Sequence, residues 1–239
     1  MRWLYTLLLY LLLPLILLRL WWRGRLAPAY RRRIGERFGF FAAPDIYKQA
    51  GRAPIWVHAV SVGETIAAAP LIRALQQRYP ARDIVVTTMT PTGSERVRAL
   101  FGDTVFHVYA PYDLPDALAR FMARLQPALA LIVETELWPN TVAACAARGI
   151  PTLLVNARLS ERSARGYARV AALTRPMLRA LSGVVAQSAA DGERFVALGL
   201  PRERLNVSGS IKFDIELSAV LRAQAADERR RLGIAACSM

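Results

Sequence analysis

The chain has 239 residues, of which 54% are hydrophobic and 21% charged, a balance that excludes a disordered chain and leaves room for one large domain or two small ones. Its formal net charge of +14, from 32 Lys and Arg against 18 Asp and Glu, calls for an anionic partner such as nucleic acid, a phosphorylated ligand or a membrane surface. Two cysteines, Cys145 and Cys237, can build neither a disulfide framework nor a cysteine zinc site, so a reducing compartment is the simpler expectation.

Residues 3–22 read WLYTLLLYLLLPLILLRLWW, about 20 mostly apolar positions, enough to cross ~30 Å of hydrocarbon as a helix. Pro14 can kink such a helix, and Arg19 lies close enough to its end to reach the headgroups beside Trp21 and Trp22. A cleaved signal peptide is the alternative, with Ala27-Pro28-Ala29 as its cleavage triplet. The bulky, basic residues Trp21, Trp22, Arg23 and Arg25 before that triplet argue instead for an uncleaved or monotopic anchor.

Arg19, Arg23, Arg25, Arg31, Arg32, Arg33 and Arg37 cluster at and after the apolar run. This placement favours anionic membrane lipids over nucleic acid, and by the positive-inside rule it puts the remainder of the chain in the cytoplasm. The expected organisation is an anchor at 1–22, a basic juxtamembrane segment at 23–53, a Rossmann-like domain at 54–210 and, at 211–239, an interdomain linker with the truncated start of a C-terminal domain.

From residue 54 the chain alternates apolar strands with amphipathic helices. The strands are IWVHAV (55–60), DIVVTT (83–88), TVFHVY (104–109), ALALIV (128–133), TLLVN (152–156) and GVVAQ (183–187). Between them, stretches such as TIAAAPLIRALQQRY and LPDALARFMARL carry apolar residues at helical spacing. The pattern predicts an α/β fold with a parallel, doubly wound sheet. There is no internal repeat. Neither the dinucleotide glycine fingerprint nor the phosphate-loop motif follows the first strand, which continues AVSVGET.

Ligands of open α/β sheets bind beyond the carboxyl ends of the strands, and the candidate residues are those in the loops there. Ser61-Val62-Gly63-Glu64 opens a helix after the first strand and offers backbone N–H groups together with a carboxylate that can take a proton from a bound hydroxyl. The same spacing fits a capping box, with Glu64 turned back to the Ser61 N–H. Thr90-Pro91-Thr92-Gly93-Ser94-Glu95 supplies hydroxyls and N–H groups at another helix start, with Thr92 and Glu95 at capping-box spacing.

Glu134 and Glu136 follow the buried strand ALALIV beside Trp138 and Pro139. They are candidates for chemistry, or else one acid caps the next helix while Trp138 fills core space. Asn156, Arg158 and Arg162 follow the fifth strand, and the two arginines can bind an anion. Gly209-Ser210-Ile211-Lys212 ends the domain, where Lys212 can hold a phosphate, a carboxylate or Glu134, or simply be solvated. His58 and His107 sit inside apolar strands and read as core residues. No metal site is expected.

In this order HAVSVGE, TTMTPTGSERV, YAPYDLP, VETELWPN, NARLSERS and GSIKFD resemble the bacterial 3-deoxy-D-manno-octulosonic acid (Kdo) transferases of lipopolysaccharide synthesis. The resemblance implies the N-terminal half of a GT-B glycosyltransferase that moves Kdo from CMP-Kdo to the lipid A precursor lipid IVA without a cofactor or metal, at the cytoplasmic face of the inner membrane. It implies Glu64 as general base and Glu134 and Lys212 in transition-state stabilisation, while Ser61, Gly63, Thr92, Gly93, Asn156, Arg158 and Arg162 in the loops are the expected substrate-binding residues. The family's second Rossmann-like domain, which holds most of the CMP-sugar site, has no counterpart before Met239. An inactive, membrane-bound lipid-binding module is therefore the alternative expectation.

Overall fold

A computed structural model describes residues 1–44, 47 and 52–211. All six expected strands form, as β1 (Ile55–His58), β2 (Ile84–Thr88), β3 (Phe106–Tyr109), β4 (Leu129–Val133), β5 (Thr152–Ala157) and β6 (Gly183–Ala186). A seventh, β7 (Leu205–Val207), extends the edge. It has only three residues, two of them exposed, so it carries none of the apolar run that marks a strand in sequence.

The sheet order is β3-β2-β1-β4-β5-β6-β7, with every neighbouring pair parallel. The helices are α1 (Arg2–Leu26), α2 (Val62–Arg78), α3 (Pro91–Phe101), α4 (Pro115–Leu125), α5 (Pro139–Ala146), α6 (Glu161–Arg169), α7 (Ala171–Ala180) and α8 (Ala189–Ala197). The chain lays β1, β2 and β3 outward in one direction and then returns to place β4 on the other side of β1. This reversal sets the loop after β1 beside the loop after β4, and the crevice at such a reversal is the place where open α/β sheets bind ligands.

Alternate residues of each central strand feed opposite apolar layers, which is why the strands read as continuous hydrophobic runs. Ile55, Val57, Ile84 and Val86 pack with Ile72 of α2 and Val97 and Phe101 of α3. Trp56, Val85 and Ala130 face Phe121, Met122 and Leu125 of α4 and Cys145 of α5. A third cluster joins Ile132, Leu154 and Val184 to Leu178 of α7 and Phe195 of α8.

Before β1, a 3₁₀ turn (Ile34–Phe38) ends at Gly39, whose φ of 77° lies in the left-handed region. A Cβ there would come within 2.5 Å of the Ala117 carbonyl oxygen and 2.9 Å of the Phe121 nitrogen. Gly39→Ala is therefore expected to cost about 2 kcal/mol or more, read as a lower urea midpoint at unchanged slope.

Arg33 and Arg37 correct one expectation, since neither belongs to an exposed basic cluster. Arg33 pairs with Glu36 at 2.6 Å and donates to Ser94 and the His107 carbonyl. Arg37 is only 2% exposed, donates to the Met89 carbonyl and lies over the rings of Tyr109 and Tyr112. These two arginines fasten the segment before β1 to the carboxyl ends of β2 and β3, whereas Arg19, Arg23, Arg25, Arg31 and Arg32 remain exposed.

α1 is long and apolar enough to cross a membrane by length and composition. It runs four residues beyond the expected end of the anchor and contains Pro14.

Candidate active site

β1 runs directly into Ser61, which caps α2 with extended backbone angles (φ −118°, ψ 168°) and accepts from the Glu64 N–H at 3.3 Å. The expected capping box forms with one change of partner. One Glu64 carboxylate oxygen accepts from the Val60 N–H at 2.9 Å and the other from the Ser61 hydroxyl at 2.8 Å, so the acid turns back one residue further than Ser61. Capping and chemistry are thus compatible readings of Glu64, because the hydrogen bonds that hold it in the cap also fix its orientation at the crevice.

Glu64 is 7% exposed. Its pKa is raised to about 7, chiefly by burial; the bonds from Ser61 and Val60 oppose the rise, and the charges of Glu136 and Glu134 add to it. The charges of both acids therefore reach Glu64 from the loop after β4. A carboxyl group poised near neutrality accepts a proton most effectively at ordinary pH. Gly63 is exposed, and a side chain there would meet little beyond the Ser61 hydroxyl at 3.9 Å, so a ligand can approach the start of α2 closely.

Removing the Ser61 hydroxyl deletes both a cap and a bond to the ionised acid. Ser61→Ala is expected to cost about 1 kcal/mol and to raise the Glu64 pKa further, moving any Glu64-dependent pH–rate profile to higher pH. Urea unfolding and a pH profile check the two effects.

Across the crevice, Glu134 adopts φ 60°, a left-handed conformation uncommon for a residue with a side chain. Its N–H donates to the Val155 carbonyl at 2.9 Å. The Thr135 hydroxyl donates to the Arg158 carbonyl, and Glu136 accepts from the Trp138 indole N–H at 3.2 Å. Trp138 stands edge-on to His58, with centroids 5.0 Å apart. Neither acid caps α5. Asp113 does so from the loop before α4, accepting from the backbone N–H groups of Asn140 and Thr141 at 2.9 and 2.7 Å.

On β5, Asn156 has φ 54° where the β5–β6 register shifts, a bulge beside the crevice. Its Oδ1 accepts from the Ile211 N–H at 3.2 Å, tying the end of the described chain to this edge. Lys212 lies outside the described residues. Arg158 and Arg162 have exposed side chains, in position to meet an anion in solution.

The expected Thr92 cap is corrected. α3 begins at Pro91, and its cap is Thr90, which accepts from the Gly93 N–H at 3.1 Å. Proline at the first helical position shifts the start by two residues. Thr92 is exposed and donates to Thr90, while Gly93 is buried against Thr88.

Four buried polar atoms have no partner among the described residues: His58 Nε2, Thr88 Oγ1, Arg37 Nε and Asn156 Nδ2. All four lie at the carboxyl edge of the sheet, where a polar ligand can supply what the protein does not. His107, by contrast, is satisfied at both ring nitrogens, by the Val86 carbonyl and Ser94. Among the described residues no group of three or more His, Cys, Asp or Glu side chains is arranged to hold a metal ion.

Residues 32–215 match a family model described as 3-deoxy-D-manno-octulosonic-acid transferase (kdotransferase). The chain is 47% identical over 214 residues to the 3-deoxy-D-manno-octulosonic acid transferase of Haemophilus influenzae, covering 90% of the chain and 49% of that protein. It is 40% identical over 228 residues to the enzyme of the same name from Bordetella pertussis, covering 90% and 50%. The chain thus spans about half the length of the curated relatives it matches. Among solved structures it resembles the UDP-GlcNAc 2-epimerase of Neisseria meningitidis bound to UDP-GlcNAc, with a TM-score of 0.52 at 15% identity over 73% of the chain and 53% of that protein. The S. aureus MnaA–UDP structure gives a TM-score of 0.53 at 14% identity, covering 72% and 51%. Both likenesses concern the fold, a Rossmann-like domain of the GT-B type.

Proposed function

The chain belongs to the 3-deoxy-D-manno-octulosonic acid transferase family, and from that premise we propose that it is the acceptor-binding part of an enzyme that transfers Kdo from CMP-Kdo to lipid IVA. The observation that carries this reading is Glu64, an oriented carboxylate with a pKa near 7 at the sheet's reversal point. An acceptor sugar hydroxyl is a poor nucleophile at neutral pH, and a positioned base removes that obstacle as the new bond forms.

In the proposed step the acceptor hydroxyl oxygen attacks the anomeric carbon of Kdo while its proton passes to Glu64. The bond from that carbon to the phosphate oxygen breaks, CMP leaves with the electron pair, and the anomeric configuration inverts. Glu64 then returns its proton to solvent. Glu134 and Lys212 stabilise the charge that develops toward the leaving CMP. The exposed guanidinium groups of Arg158 and Arg162 bind phosphate on the acceptor, and Ser61, Gly63, Thr92, Gly93 and Asn156 complete the acceptor surface. CMP-Kdo is assigned to the part of the relatives' length that this chain does not span, no step is routed through a cofactor or metal, and the setting is the cytoplasmic face of the inner membrane.

The test is transfer of labelled Kdo from CMP-Kdo to lipid IVA by this chain and by the chain extended with the remaining half of a relative. Transfer by the extended form supports the reading. Absence of transfer in both, with lipid IVA binding retained, favours a lipid-binding module instead.

A further inference from the structure

We infer that α1 does not cross the bilayer but lies along its surface, buttoned to its own domain by a polar seam. The seam lies at the start of the helix. The Tyr5 hydroxyl donates to Asp113 at 2.9 Å, Asn140 Nδ2 donates to Thr6 at 2.9 Å, and the Tyr10 hydroxyl donates to Asp116 at 2.6 Å. Asp113 caps α5 by accepting from the Asn140 N–H, and Asp116 opens α4 in an ion pair with Arg120 at 2.6 Å.

The far end of α1 returns to the same domain. Arg31 packs on Gly24 so closely that a Cβ there would sit 2.3 Å from its Cγ, and it donates to the Trp21 carbonyl at 3.0 Å. Arg33 and Arg37 then hold the following turn to the edges of β2 and β3. A helix of 25 residues is about 37 Å long. If it spanned hydrocarbon, the partner of Tyr10 would be drawn in with it, and burying the half-exposed pair Asp116 and Arg120 in lipid is unfavourable by roughly 2.5 to 3.5 kcal/mol per charge even on insertion scales. Lying flat, the helix keeps that pair wet.

The partner that fits is an anionic bilayer surface. Leu4, Leu7, Leu8, Leu11, Leu15 and Leu18 are exposed along the helix, with Trp3 at one end and Trp21 and Trp22 at the other. Cations flank both ends. Arg2 and Arg148 line a groove of about 610 Å³ beside Trp3 and Thr6, while Arg25 and Arg31 stack on Trp21 and Arg23 on Tyr30. Arginine and tryptophan at both ends suit one headgroup layer along the whole helix.

Nitroxide labels at Leu4→Cys, Leu11→Cys and Leu18→Cys, seven residues apart and so on one face, report depth when the full chain carrying Cys237→Ser is bound to phosphatidylethanolamine–phosphatidylglycerol vesicles. The expected result is a common shallow depth of about 5 to 10 Å below the phosphates at all three sites. A Leu11 label at about 15 Å, the bilayer centre, with shallower labels at either end, overturns the inference, as does failure to bind the vesicles. In a Tyr5→Phe, Tyr10→Phe variant the Leu4 label is expected to move deeper and gain mobility while Leu18 stays in place; an unchanged Leu4 label shows that the seam does not hold the helix and also overturns it. The readout is depth, so the outcome is separate from whether the protein transfers Kdo.

Discussion

In the chain extended with the remaining half of a relative, replacing Glu64 with glutamine is expected to lower the proposed Kdo transfer by roughly 10²- to 10⁴-fold, the share of catalysis a general base supplies, with little change in acceptor binding. Glutamine preserves the shape of the cap, because it can still accept from the Val60 N–H and donate to Ser61, but it cannot take a proton. The wild-type rate should rise with pH through about 7, where Glu64 ionises, and the residual activity of the variant should lose that limb. Turnover near the wild-type level would remove Glu64 from the mechanism.

The same pKa has a consequence for stability. Glu64 titrates near 7 when folded and near 4.5 as an ordinary carboxyl, so its protonated form is the one that folding favours. Its contribution is fully present below pH 4.5 and is lost as pH rises through 7, by at most about 3 kcal/mol. The variant should therefore gain stability relative to wild type at pH 8 and little at pH 4. Urea unfolding at the two pH values reads the difference.

Asp113→Ala is expected to be the most destabilising exchange among the residues discussed, at about 3 kcal/mol or more. The carboxylate accepts four hydrogen bonds, from the Asn140 and Thr141 N–H groups, the Thr141 hydroxyl and the Tyr5 hydroxyl. Its loss leaves the first N–H groups of α5 buried and unpaired. Burial pushes the Asp113 pKa up and these bonds pull it back, which shows that the site tolerates the charge only because the donors are present. Because α5 starts directly after the loop carrying Glu134 and Glu136, the exchange should also reduce activity in the fraction that remains folded. Chemical denaturation with a parallel activity measurement separates the two effects.

Much of the architecture is legible in the residues themselves. Six apolar runs became six strands because strands covered on both faces need no polar alternation. Glu64 was recognisable at a helix start after the first strand, where its spacing fits a cap as well as a base, and the fold shows the cap with Val60 in place of Ser61 as the backbone donor. Other features depend on contacts distant in sequence. Asp113 carries no motif of its own in the sequence, yet it caps α5 from 27 residues away. Arg33 and Arg37 look like part of a membrane-facing basic cluster, yet the folded chain fixes the first beside Glu36 and Ser94 and buries the second among tyrosines.

Short-range chemistry, then, was determined by the sequence alone: the hydrophobic period sets strand and helix, and local side chains such as Ser61 set where α2 begins, since those energies involve residues a few positions apart. The tertiary structure decided which carboxylates face one another, because only the order β3-β2-β1-β4 brings the loop after β1 beside the loop after β4. It also decided how α1 is held. Tyr5, Thr6 and Tyr10 are three weakly polar residues in an apolar run, and they become a seam only when the fold sets Asp113, Asn140 and Asp116 within hydrogen-bond distance.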